Sequence, residues 1–310
     1  MDRYARITVT VITYKQEKVI GRAIESILQQ KEYGLKEVIV CDDYSPDGTW
    51  EIIQRYALKY PEIITAHRNS PNKGIYGNMA QAYSMVDDTD LIIECSGDDI
   101  ICNGFFKAVQ GCIHENRIHP QTESATIYGD YKLISPENKE SVIKNNAIQK
   151  YPNVKAVDLR MQGKLSPRSS VKTIACFRRF EKFPIDKGIA MAEEFCDIQP
   201  SLHADKNYYI PVVGSAYYVG IGVSTKMGNA KDRTERIEAW KAIMNKVRLE
   251  QKTIHYMQHR IYRLSYSNKK SFYFFCSMWW HYLRSGRFDI KYLIKEPLRM
   301  VFTSYDTIVC

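Results

Sequence analysis

Two pairs of adjacent carboxylates, Asp42-Asp43 and Asp98-Asp99, each close a short apolar run, "KEVIVCDD" and "DLIIECSGDD". Neighbouring carboxylates repel one another, and their pKa values rise unless a cation or hydrogen-bond donors compensate. The second pair has two readings. One is a solvated turn, because Ser, Gly and Asp are turn formers. The other is a site for a hard divalent ion, since Mg2+ takes one or two protein carboxylates and leaves the rest to diphosphate oxygens. The apolar "LII" favours the ion, because it buries the strand and brings the pair to the rim. The first pair, in "VIVCDDYSPDGTWEII", reads as a turn with Asp47 or Thr49 capping a helix, or as a carboxylate that accepts a nucleobase ring N–H. A third acidic group, Glu193, Glu194 and Asp197 in "MAEEFCDIQ", is either a solvated helix face or the source of a general base for an attacking hydroxyl.

These residues must be carried by an alternation of periods in the first part of the chain. "RITVTVITY" is β-branched and strand-like, whereas "EKVIGRAIESILQQ" puts Val19, Ile20, Ala23, Ile24, Ile27 and Leu28 on one helical face. "KEVIVCDD" is again a strand and "TWEIIQRYALKY" a helix; "EIITAHR", "NMAQAYSMV" and "DLIIECSGDD" continue as strand, helix, strand. Near-continuously apolar strands between helices predict a parallel sheet covered on both faces. Ligands of such sheets sit beyond the carboxyl ends of the strands, which places Tyr14, Asp42, Asp43, Asp98 and Asp99 along one rim. The stretch from about 105 to 228 is less regular, with strand candidates "SATIYGDYKLI" and "NYYIPVVGSAYYVG" and a helix candidate at 193–202. From about 229 the chain reads as helical, basic and aromatic.

Composition sets outer bounds. With 310 residues, 45% hydrophobic and 25% charged, the chain builds a sizeable core and excludes long disorder. Its 8 cysteines are scattered without a CxxC pair, which predicts free thiols in a reducing compartment rather than zinc or a disulfide scaffold. "MDRYARITVTVITYK" is short, alternating and without a cleavage site, so it does not read as a signal peptide. No run reaches the ~18–20 apolar residues of a membrane span. A cytoplasmic protein, or one attached to a membrane surface, is expected. Net charge is +9, and residues 230–310 hold 16 Lys+Arg against 7 Asp+Glu, so the preceding residues are formally neutral. That distribution argues against nucleic acid as a partner of the main body.

The motifs also resemble, in order and spacing, those of the family 2 glycosyltransferases. "ITYKQ" is similar to the family's "TYN"-like strand end, and "IGRAIESILQQ" to the helix that follows it. "VCDDYSPDGT" resembles "VDDGSTDGT", "NKGIYGN" an N-x-G segment with a later Asn, and "SGDD" the metal motif D-x-D-D. The resemblance is specific over the first hundred or so residues and looser to about 228. It implies the GT-A fold, an α/β architecture with a Rossmann-like, mostly parallel sheet, followed here by a helical C-terminal extension. The implied organisation is a nucleotide-sugar-binding half at 1–104, an acceptor-binding half at 105–228 and a basic aromatic tail at 229–310.

By the same resemblance Tyr14 packs on the donor base, Asp43 accepts from a uracil ring nitrogen with Asp42 beside it, and Asp98 and Asp99 hold Mn2+ or Mg2+ and the donor diphosphate. "AEE" makes Glu194 the catalytic base, with Glu193 as its neighbour. The implied reaction is inverting transfer of a sugar from a nucleoside-diphosphate donor, a UDP-sugar, to a hydroxyl of a glycan or lipid-linked acceptor in polysaccharide biosynthesis. The tail offers a membrane surface its basic aromatic helices, or packs them on the catalytic body. Departures are equally specific. Ser96 stands where the first acid of D-x-D-D is expected, which turns a carboxylate contact to the donor into a hydroxyl contact. "NKGIYGN" lacks the family's Arg, leaving Lys73 to supply charge, and "YYVGIGVST" lacks its Arg and His, with Lys226 the nearest cation. Rival readings are a sugar-nucleotide nucleotidyltransferase, which "TYKQEKVIG" disfavours for want of a Gly-rich basic loop, an inactive glycan-synthesis partner, and a phospho-receiver of about half this length.

Overall fold

A computed structural model describes residues 4–181, 193–221, 230–268, 270, 272–286, 289 and 292. The chain divides into two compact units, Met1–Pro184 with Cys196–Thr225, and Ile185–Phe195 with Lys226–Cys310.

In the first unit, β1 (Ile7–Thr13), β2 (Leu35–Asp42), β3 (Ile64–Arg68) and β4 (Leu91–Ser96) form the parallel part of the sheet, in the order β3-β2-β1-β4. Strand alternation sorts their side chains onto two faces. Ile7, Val9 and Val11 of β1, Val38 and Val40 of β2, and Leu91, Ile93 and Cys95 of β4 share one core. It is closed by α1 (Ile20–Leu28), whose Ile20, Ala23, Ile24, Ile27 and Leu28 are buried, and by α4 (Phe105–Glu115). Each fully buried Ile or Leu here is worth roughly 1.5–3 kcal/mol. On the other face Ile39 and Cys41 meet Ala82 of α3 (Gly74–Ser84), while α2 (Thr49–Lys59) connects β2 to β3.

Beyond β4 the sheet continues with mixed direction, as β8 (Ser170–Thr173), β6 (Ala125–Ile134), β9 (Lys206–Tyr218) and the two-residue β5 (Ile100–Ile101). β4 runs antiparallel to β8, β8 to β6, and β5 to β9, whereas β6 and β9 are parallel. With β7 (Glu140–Ile143) paired to β6, nine strands are joined among the described residues. The polar stretch after Asn138 contributes β7 and two short helices, α5 (Ala147–Lys150) and α6 (Ala156–Met161), and α7 (Ile174–Phe177) follows β8. α8 (Glu193–His203) leads into β9.

The second unit is helical where described: α9 (Ala230–Lys246), α10 (Gln251–Asn268) and α11 (Phe272–Arg284). Ala239, Trp240, Ile243, Met257, Ile261, Met278 and Tyr282 supply its buried side chains.

Candidate functional site

The parallel register brings the acidic strand ends into one row. Thr13 of β1 lies opposite Asp42 of β2, and Ile12 lies opposite Ser96 of β4. The Asp43 N–H then donates to Thr13 O at 3.0 Å, and the Gly97 N–H to Ile12 O at 2.9 Å, so both chains leave the sheet at the same level. A Cβ at Gly97 would meet Gln16 Oε1, Thr13 Cβ and Ile20 Cδ1 at 3.0 Å or less, so only glycine fits there. Tyr14, Asp42, Asp43, Ser96, Asp98 and Asp99 therefore share one rim.

Asp42 is fully buried and closed upon itself. Its Oδ2 accepts from the Ser45 N–H at 3.0 Å, its Oδ1 from the Ser45 hydroxyl, and Arg68 Nε lies 3.3 Å from Oδ2. Burial raises its pKa against these donors. Asp43, also buried, is held on one side only. Its Oδ1 accepts from Asn69 Nδ2 at 2.9 Å and from the Lys73 N–H at 2.8 Å, while Oδ2 makes no hydrogen bond among the described residues. Asn69 Nδ2 also donates to Asn78 Oδ1, and Asn78 Nδ2 to Cys41 O, both at 2.9 Å, and Asn72 Nδ2 reaches Asp43 O at 2.7 Å. The segment "NSPNKGIYGN" is thus a cradle that orients one carboxylate. Lys73 serves through its backbone; its Nζ donates to Gln81 Oε1 at 3.0 Å.

Tyr14 stands exposed, with Lys15 Nζ 5.0 Å from its ring centre. Tyr44, next to Asp43, is exposed as well, with the Arg68 guanidinium 5.0 Å from its ring centre.

At the β4 end Ser96 is exposed, and its carbonyl accepts from the Asp99 N–H at 3.0 Å to close a turn. Asp98 is buried and its pKa is raised by that burial, with partial relief from a Gln16 hydrogen bond and the Arg22 charge. Asp99 is pushed up to about 7, first by burial and then by Asp98 beside it. The Tyr218 N–H, 3.2 Å from Asp99 Oδ1, and the charges of Arg168 and Arg22 offset only part of this. An under-compensated carboxylate pair is what a divalent cation fits. No cluster of three or more His, Cys, Asp or Glu forms among the described residues, so such an ion would keep most positions for water and phosphate oxygens.

Sequence reasoning missed two cations here. Arg22 of α1 donates through Nη2 to Asp98 O at 2.7 Å and lies 3.6 Å from the Tyr218 ring centre. Arg168 is exposed between the rings of Tyr217, at 4.4 Å, and Tyr131, at 5.8 Å, and makes no ion pair among the described residues. Ser215 Oγ donates to Arg168 O at 2.8 Å, and Ser215 pairs with Ile101, which places Arg168 one strand from the Asp99 turn. A polar residue inside the apolar pattern of "IGRAIESIL" was a signal for Arg22; nothing in "SPRSS" marked Arg168.

A further network lies on β4 itself. Glu94 accepts from the Tyr83 hydroxyl and from Lys172 Nζ at 2.6 Å, and Lys172 is fully buried. Glu193 and Glu194 open α8, but their side chains, like Lys226, lie outside the described residues. Asp197, the third acid of that cluster, is paired with Arg160 at 2.9 Å.

Comparison with known proteins adds an independent line. Residues 8–124 match the family model Glycosyl transferase family 2. The glycosyltransferase-named EpsE of Bacillus subtilis (strain 168) is 34% identical over 100 residues, covering 32% of this chain and 35% of EpsE, about a third of that relative's length. Among solved structures, S. aureus TarS 1-349 in complex with UDP-GlcNAc is similar at a TM-score of 0.65, with 17% identity, covering 89% of this chain and 79% of the TarS 1-349 chain. The mannosyltransferase PcManGT from Pyrobaculum calidifontis, in complex with GDP-Man and Mn2+, gives 0.55 with 13% identity, covering 99% and 83%. The likeness to these structures is one of fold, and that fold is GT-A.

Proposed function

We propose that this chain, whose residues 8–124 match the glycosyl transferase family 2 model, transfers a sugar with inversion from a UDP-sugar to a hydroxyl of a glycan or lipid-linked acceptor. The observation that carries this reading is the convergence on one rim of a half-satisfied carboxylate, Asp43, and an under-compensated pair, buried Asp98 and half-buried Asp99. TarS and PcManGT were each solved with a sugar nucleotide, the latter with Mn2+, which supports a donor of this class.

Asp43 Oδ2 accepts the uracil ring N–H while the Asn69–Asn78 relay fixes the carboxylate plane, and Tyr14 packs on the base. The Ser96 hydroxyl faces the donor where an acid would otherwise stand. Asp98 and Asp99 would hold Mn2+ or Mg2+, and a bound ion would supply Lewis-acid stabilisation of the diphosphate leaving group. Arg168, exposed and in no salt bridge among the described residues, adds a cation on the phosphate side, and Arg22 braces the turn that carries Asp98. Glu194, with Glu193 beside it, removes the acceptor hydroxyl proton. The acceptor oxygen bonds to the anomeric carbon as that carbon's bond to the diphosphate oxygen breaks, and the electron pair leaves with the nucleotide.

The 1–104 and 105–228 segments act as donor and acceptor halves of one catalytic body, and the basic segment from 229 serves contact with the inner face of a membrane. No helix among the described residues is long and apolar enough to cross one. Thermal-shift screening against UDP-, GDP- and dTDP-sugars, with Mn2+ or with EDTA, tests the reading. UDP-sugars with Mn2+ should raise the melting temperature most, and EDTA should abolish the rise. Equal response to all three bases, or none, removes the donor assignment, and Mn2+-dependent hydrolysis of the responding sugar nucleotide separates an enzyme from an inactive partner.

A further inference from the structure

α11 carries large apolar side chains on its outward side as well as on its packed side. Met278 is fully buried and Tyr282 nearly so, turned toward α10: His259 Nδ1 lies 3.0 Å from Met278 O, and the His259 ring 5.1 Å from that of Tyr282. On the opposite side Phe272 is 81% exposed, Tyr273 63%, Trp280 55% and Leu283 47%, and Cys276 is exposed among them. The helical repeat sets Phe272, Cys276, Trp280 and Leu283 on one stripe with Tyr273 at its flank. The outward side of a surface helix is ordinarily polar.

The rim of the stripe is basic. α11 contains no acidic residue, Lys270 is exposed just before it, and the Arg284 guanidinium lies 4.5 Å from the Trp280 ring centre at its far end. Residues 230–310 carry 16 Lys+Arg against 7 Asp+Glu.

We propose that this face of α11 lies in the headgroup layer of an anionic lipid bilayer, parallel to its plane. Phe272, Leu283 and the Trp280 ring enter the upper acyl region, and Lys270 and Arg284 meet lipid phosphates. Trp and Tyr concentrate at such interfaces because their rings are apolar at one end and polar at the other. A second copy is the poorer occupant, since a two-fold contact would set one cation-rimmed face against another. An acceptor held in a membrane, as proposed above, is the purpose such a contact would serve. Lipid binding is measured without donor or acceptor, so its failure removes the membrane contact and leaves sugar transfer standing, and failure of transfer leaves the lipid contact standing.

The test is co-sedimentation of the full-length protein with vesicles of phosphatidylcholine alone and of phosphatidylcholine with phosphatidylglycerol. The protein should bind the anionic vesicles, bind neutral ones less, and release with salt. The double variant Phe272→Ser/Trp280→Ser should lose roughly tenfold or more in vesicle affinity while keeping its far-UV circular dichroism and melting temperature. Leu58→Ser, at an 82% exposed position on α2, should bind as wild type does. Alkylation of Cys276 should slow on anionic vesicles. Equal binding by wild type and the double variant overturns the proposal, as does indifference to phosphatidylglycerol. So does a vesicle-free dimer, seen by light scattering, that the double variant makes monomeric.

Discussion

Asp42 and Asp43 carry the same side chain in opposite surroundings. Successive side chains of an extended segment point to opposite faces, so Asp42 turns into the Ser45 loop and Asp43 into the Asn69–Lys73 cradle. Both oxygens of Asp42 serve the fold, and one oxygen of Asp43 makes no hydrogen bond among the described residues. Arg168 rests on the Tyr217 ring and makes no salt bridge among the described residues. Arg168→Ala should therefore weaken UDP binding by about tenfold to hundredfold, the worth of a charge-assisted hydrogen bond, and leave uridine binding unchanged. Isothermal titration with both ligands checks this; equal loss for the two would remove Arg168 from the phosphate side.

Elements place these groups, and one element pair carries its own titration. His255 of α10 and His281 of α11 face each other with Nδ1 atoms 3.0 Å apart, and Tyr262 stacks on His281 at 5.3 Å and 8°. That contact needs one nitrogen with a proton and one without. Burial, then the neighbouring His255, lowers the pKa of His281. A histidine whose folded pKa lies below its unfolded value stabilises the fold above the unfolded pKa. That stability drains away as pH falls through the folded value. Amide exchange along α10 and α11 should accordingly quicken as pH drops below about 6.5, after correction for intrinsic exchange, and His281→Gln should flatten the change. An acid-insensitive wild type would show that the pair is not titrating.

At the scale of the whole molecule, thiols report which parts are closed. Cys41, Cys95, Cys112, Cys176 and Cys196 are buried and form no disulfide among the described residues, and Cys276 is exposed. Burial holds Cys41 up at about 12 and Cys112 at about 11, so neither forms thiolate at neutral pH. Among the described cysteines, a thiol reagent on the native protein should label Cys276 first and half-buried Cys102 more slowly, with the remainder reacting only after denaturation. Peptide mapping of the labelled protein reads the order directly; early labelling of Cys95 would mean that the β4 end opens in solution. The charge division has the same scale, with an excess of cations confined to residues 230–310.

Local pattern alone was enough for the parallel half. The apolar runs of β1, β2 and β4 and the helical stripe of α1 are periodic in sequence, and period dictates which face is buried. Strand ends in a parallel sheet share one edge, so the rim residues Tyr14, Asp42, Asp43, Ser96, Asp98 and Asp99 were legible from order and spacing. The mixed half was not. β8 and β9 join β6 across long stretches of chain, and no local period announces such partners. Which oxygen of Asp43 stays open, and which cations stand beside Asp98 and Asp99, depend on contacts such as Arg22 on Tyr218 and Arg168 on Tyr217. Those pairs lie far apart along the chain and meet only when the sheet is assembled. Residue order determined that a carboxylate rim would exist; packing across the sheet decided which of its carboxylate oxygens are engaged by the fold and which keep no described partner.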